Sequence, residues 1–250
     1  MISNEIKWHD LEELSQRELD LVKNAYNDYG DVYNNSKEIV GILWNFIEGD
    51  VDQESWLFML FLSQTRKSTT LSLLSIIRRH EVQGFLMVRH ALEAAVFSCY
   101  TLSNPVVEEF MTKNIEGLVE LNDKGKQSAF KWLEANYKTH SDLIRNWKTK
   151  FINNMFAHAN ALTSFNNFES TNSKYLHSYF DIQVTHITKA ELWFIANVTL
   201  CLIDLFSVII KKQGKIKLVN GIEEKINELG IDNERIKNVM KKDERFAKWL

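Results

Sequence analysis

EVQGFLMVRHALEAAVFSCYTL, residues 81 to 102, repeats apolar side chains every three or four positions over about six helical turns and contains no proline. Val82, Phe85, Leu86, Val96, Phe97 and Tyr100 share one stripe of this helix, and the same stripe carries Arg89 and Glu93 in its middle. An apolar face of that length needs equally long apolar partners. Working outward, the same periodicity places helices near 11 to 28, 32 to 48, 53 to 79, 105 to 115, 117 to 135, 138 to 157, 188 to 212, 221 to 229 and 233 to 248. One proline and nine glycines in 250 residues, with little strict alternation, leave an all-α helical bundle as the fold class.

Local start signals support these boundaries. Ser15 with Glu18 and Thr188 with Glu191 have the spacing of capping boxes, and Asn104 precedes Pro105 as a cap before a first-turn proline. Residues 159 to 187 form a long Asn- and Ser-rich connection whose second half, YLHSYFDI, alternates enough for a short strand or β-hairpin. KKQGKIKLVNG, 211 to 221, separates a bundle domain, residues 1 to 212, from a C-terminal helical hairpin, residues 213 to 250.

The chain is 45% hydrophobic and its formal net charge is −3, so it can bury a sizeable core and has no overall nucleic-acid charge footprint. The charge is unevenly spread: residues 1 to 60 hold 13 acidic against 4 basic side chains, net −9, which leaves +6 for the remainder. Cys99 and Cys201 sit in apolar helical patterns and give neither a disulfide framework nor a CxxC site. The acidic N-terminus lacks an apolar secretory core, which points to the cytoplasm. LWFIANVTLCLIDLFSVII, 192 to 210, has the length of a membrane span, but Asn197, Asp204 and Lys211 recur every seven residues along one edge. That pattern reads as a buried core helix with a polar edge, and no membrane partner is expected.

Arg89 and Glu93 within an apolar stripe are either a structural ion pair or the floor of a polar pocket, in which Arg89 holds a phosphate or carboxylate. The histidines show no HExxH or HxH spacing, and GxGxxG, P-loop and GxSxG motifs are missing, so no metal and no cofactor is expected. In FINNMFAHAN, 151 to 160, α-helical spacing aligns Trp147, Phe151, Asn154, Met155 and His158 on one face ending at the long loop. His158 there is either a base that titrates near neutrality or a packing residue that holds the corner.

With these residues in view, residues 53 to 210 resemble the HEPN superfamily, the helical nucleotide-binding bundles of higher eukaryotes and prokaryotes. NNMFAH aligns with that family's Arg-polar-x-x-x-His motif, Asn153 standing where the family has Arg, Asn154 at the polar position and His158 at the histidine. VRHALEAAV is similar to an upstream helix of bacterial members. The resemblance implies a homodimer that binds RNA or a nucleotide in a toxin–antitoxin or phage-defence setting. His158 is then the catalytic base and Arg89 an anion clamp oriented by Glu93, with Asn153 and Asn154 as neutral donors and Lys150 in place of the missing guanidinium. Loss of the Arg fork implies weak or absent metal-independent RNA cleavage. The rival reading is a non-enzymatic regulatory module whose long loop and C-terminal hairpin recognise a protein partner.

Overall fold

The computed structural model describes residues 10–49, 52–113, 117, 119–156, 161–171, 174–182 and 184–246. Helices α1 (Leu11–Tyr29), α2 (Asp31–Asn45), α3 (Trp56–Ile77) and α4 (Glu81–Ser103) follow one another through short corners. Then come the hairpin β1 (Met111–Lys113) and β2 (Val119–Leu121), α5 (Lys124–Asn136), α6 (Lys138–Arg145) and a π-helical stretch, Asn146–Asn153. The short α7 (Ala161–Ser164), the hairpin β3 (Phe168–Thr171) and β4 (Lys174–His177), α8 (Thr185–Gln213) and α9 (Ile222–Met240) complete the order. The architecture is an all-α bundle carrying two small antiparallel hairpins.

α3 and α4 form the central antiparallel pair, and Gly84 of α4 faces Ile76 and Ser72 of α3. A methyl group at Gly84 would lie 2.6 Å from Ile76 Cδ1, so any larger residue requires the Ile76 side chain to shift. Arg79 turns the corner between these helices with φ +62°, a backbone conformation uncommon outside glycine. α8 fills the middle of the bundle: Leu192, Ala196, Leu202, Ile203, Leu205 and Phe206 are fully buried. It is the one described helix long and apolar enough to cross a membrane, and 67% of its most apolar window is buried inside the protein. Its polar edge faces outward, where Asp204 pairs with His140 at 2.8 Å.

Four boundaries differ from the sequence reading, each for a physical reason. α1 is capped by Asp10, whose Oδ1 accepts from Glu12 N at 3.0 Å, so Ser15 and Glu18 lie inside the helix. Likewise α8 starts at Thr185, and the expected capping box of Thr188 and Glu191 is instead a buried part of its first turns. In the expected helix from 105 to 115, the described residues 105 to 113 are not helical beyond a turn at Val107–Glu109, because Phe110 leaves the chain direction to pack on Phe61, Phe97 and Tyr100 at 5.0 to 6.2 Å. The sequence then returns as β1 and β2, with Met111 opposite Leu121 and Thr112 opposite Glu120.

The fourth difference is at the C-terminus, where one helix, α9, stands in place of the expected pair. Gly230 costs helix stability of about 1 kcal/mol, but the buried face of Leu229, Asn233, Ile236 and Met240 continues past it and offsets that cost. α9 shares the hydrophobic core with α2 and α8. Asn35 Nδ2 donates to Asn233 Oδ1 at 2.9 Å, Trp193 Nε1 donates to Asn233 O at 3.0 Å, and Val219 N donates to Phe46 O at 3.0 Å. The long connection does contain a β-hairpin, with Phe168 opposite His177 and Thr171 opposite Lys174.

Candidate functional site

α4 projects Arg89 and Glu93 one helical turn apart onto the same side, with Arg89 Nε 3.7 Å from Glu93 Oε1. Two more cations converge on that carboxylate from outside the helix. Lys148 Nζ, from the π-helical stretch, reaches it at 2.7 Å, and Lys126 Nζ, from α5, lies 3.9 Å away. The side chains of Lys148 and Glu93 are only 14% and 17% exposed, and Lys148 also sits 4.3 Å above the Phe130 ring. Burial pushes the Glu93 carboxyl up, but the hydrogen bond and charge of Lys148, with the charges of Lys126 and Arg89, outweigh it. The net effect holds the carboxyl below its usual range. Glu93 is therefore ionised at neutral pH, and three cations share one anion.

The cluster opens on a groove of about 510 Å3 between α3 and α4, lined by Gln64, Lys67, Ser68, Leu71, Leu86, Met87, Arg89, His90 and Glu93. His90 Nδ1 lies 2.8 Å from Ser68 Oγ and His90 Nε2 lies 3.0 Å from the Gln64 amide nitrogen. Both ring nitrogens are thus held against α3, with the buried Ser68 as anchor.

Lys148 reaches Glu93 through a local distortion. Hydrogen bonds from residue i to i+5 put an extra residue in each turn between Asn146 and Asn153, and such π segments recur at functional sites. The aromatic cluster beneath holds the distortion in place: Phe85 stacks on Phe156 at 4.2 Å and meets Phe151 edge-on at 5.4 Å, and Phe194 packs against both Trp147 and Phe151.

The structure brings Arg89 and Glu93 together, as the four-residue spacing requires. Asn154 Nδ2 donates to Lys150 O at 3.0 Å within its own turn. Asn153 has a buried Oδ1 with no hydrogen-bond partner among the described residues. Lys150 is exposed, and the cation beside Glu93 is Lys148, two positions earlier. His158 lies outside the described residues. Lys126, Lys148 and the Gln64–His90–Ser68 chain were missed by sequence reasoning. Lys126 and Phe130 do share an α5 face, but nothing local says which helix that face meets.

Among the described residues, no group of three or more His, Cys, Asp or Glu side chains is placed to hold a metal ion. Compared with known protein families, curated proteins and solved structures, the chain finds no match.

Proposed function

We propose that this chain is an HEPN-like helical protein that binds the phosphate groups of RNA or of a nucleotide in the groove beside Glu93. In this reading it acts as a cytoplasmic homodimer of the toxin–antitoxin or phage-defence type, with weak or absent metal-independent ribonuclease activity. The single observation that supports it is charge: Arg89, Lys126 and Lys148 surround one carboxylate, and Lys67 joins Arg89 in lining the groove that the carboxylate faces. A purely structural ion pair needs one cation per anion, so the surplus is available to a phosphate. Arg89 offers a planar fork for bidentate contact, and Glu93 fixes its orientation. Asn153 contributes a neutral group, and His158 is the base wherever cleavage occurs.

The test is binding of a labelled single-stranded RNA across a salt series. Each phosphate neutralised adds about −0.7 to the slope of log affinity against log salt. Arg89→Ala is expected to weaken binding and flatten the slope by about one phosphate. A salt-independent affinity, or an unchanged slope in Arg89→Ala, would refute the anion site. His158→Ala then decides the chemistry, since undiminished cleavage in that variant removes His158 as the base.

A further inference from the structure

The first turns of α8 and the last turns of α9 flank a separate cavity of about 440 Å3, which shares no lining residue with the groove beside Glu93. Its floor is apolar: Val32 of α2, Ile236 and Met240 of α9, and Phe246 just beyond α9 are all buried. The edge of the His186 ring meets Phe246 at 5.8 Å, which fixes that aromatic wall.

The rim is cationic. Lys189 of α8 lines it together with Arg235, Lys242 and Arg245, against the two carboxylates of Asp31 and Asp243. Asp243 is already engaged: Arg245 Nη2 donates to its Oδ2 at 2.6 Å, and Arg245 Nε and N both donate to its Oδ1 at 3.0 Å. Those bonds bring the Asp243 carboxyl down to about 2, so at neutral pH it is an anion answered by Arg245. Arg235 is held in turn by Asp232 at 3.1 Å. Asp31 is exposed in the first turn of α2, where the positive end of its own helix satisfies it. Lys189 and Lys242 belong to no ion pair among the described residues. Unpaired lysines are ordinary on a convex surface; here two of them stand over a concave, buried apolar floor.

We propose that this cavity binds a phosphate monoester with a small apolar body, the phosphate between Lys189 and Lys242 and the body on Ile236, Met240 and Phe246. A phosphate monoester carries about −1.5 to −2 charge at neutral pH, which two lysines match. The compact ammonium of lysine meets phosphate as a point charge, whereas a planar carboxylate is best met by an arginine fork, and both arginines of the rim already hold carboxylates. The floor selects against inorganic phosphate, and the Met240 thioether suits contact with an aromatic ring. The volume lies toward the small end of ligand sites and has room for a single ring system.

Calorimetric titration of the full-length protein with phenyl phosphate, at neutral pH and low salt, tests the site. One saturable site per chain is expected. Inorganic phosphate lacks the body and benzyl alcohol lacks the charge, and each is expected to bind at least roughly tenfold more weakly. Lys189→Gln and Lys242→Gln are each expected to weaken phenyl phosphate several-fold, and the double variant by at least roughly tenfold, with Tm checking that the fold is kept. The assignment is overturned by no saturable binding of phenyl phosphate, by inorganic phosphate binding as tightly, or by undiminished binding in the double lysine variant. Loss of binding in Arg89→Ala with the double variant unaffected would also overturn it, by placing phenyl phosphate in the groove beside Glu93.

Discussion

Replacing Lys148 with Met keeps the length of the side chain and removes the principal counterion of Glu93. A unit charge pair about 4 Å apart gains about 4 kcal/mol at an effective dielectric of about 20. Desolvation of two ions that are only 14% and 17% exposed offsets much of that. Arg89 and Lys126 remain as weaker partners at 3.7 and 3.9 Å, so the expected loss is that of one charge-assisted hydrogen bond, about 2 kcal/mol. For a chain of this size that corresponds to a fall in Tm of about 4 to 8 °C. The pH dependence has a fixed sign. The folded Glu93 carboxyl lies below its unfolded value of 4.5, so its stabilisation is present above that pH and is lost as the pH falls through the folded value. The cost of Lys148→Met is therefore expected in full at neutral pH and shrinks in acid, where Glu93 is protonated and needs no cation. Urea unfolding of the wild type, Lys148→Met, Glu93→Gln and the double variant measures the coupling directly, and it also separates out the contact with Phe130, which both lysine variants lose. Strictly additive losses, or a Lys148→Met cost that is the same in acid as at neutrality, would refute the assignment of Glu93 as an ion held by Lys148.

Other outcomes follow from the packing and from the buried carboxyl of Glu191. Phe85→Ala removes a ring that is 1% exposed and stacked on Phe156, so it is expected to cost about 3 to 5 kcal/mol in chemical unfolding; a loss under 1 kcal/mol would mean the aromatic cluster is not packed as described. Gly84→Ala drives a methyl group into Ile76 and is expected to cost about 1 to 3 kcal/mol, which Ile76→Val in the same chain should partly relieve. Glu191 titrates with the opposite sign to Glu93: its folded carboxyl is raised, so its stabilisation is complete below the unfolded value of 4.5 and is lost as the pH rises through the folded value. Glu191→Gln should therefore gain on the wild type in Tm as the pH is raised, and parallel Tm curves would count against a buried proton at this position.

The parts of the fold that the sequence displays are those set by local periodicity. α2, α3, α4 and α8 each carry enough apolar positions at helical spacing that tertiary packing only confirms them. The Arg89–Glu93 pair is legible for the same reason, because a four-residue spacing is a local fact. Its completion is not. Lys126 and Lys148 arrive from elements far along the chain, and Lys148 does so through a π-helical stretch that shifts the face on which Trp147, Phe151 and Asn154 were expected to align. At Phe110 a helix-compatible stretch is overridden by the burial of one aromatic ring among three others. Thr188 and Glu191 are the clearest case of ambiguity, because T-x-x-E reads the same whether the glutamate returns to a free N–H or points into a cavity. Only the start of α8 three residues earlier decides between them.

α4 thus carries two carboxyl groups, Glu81 and Glu93, whose surroundings solve the same problem in opposite ways. Glu93 is kept charged by an excess of cations, whereas Glu81 stands beside the buried Glu191 and helps push its carboxyl up, in a pocket where one cation faces three acids. Twelve residues of helix separate them, about 18 Å along the axis, where a pair of unit charges at an effective dielectric of about 20 interacts by about 1 kcal/mol. An anion in the groove should then move the titration of Glu191 only slightly. What links them is mechanical: Gly84 and Phe85 lie between, one fixing the approach of α3 and the other carrying the aromatic cluster under the π-helical stretch.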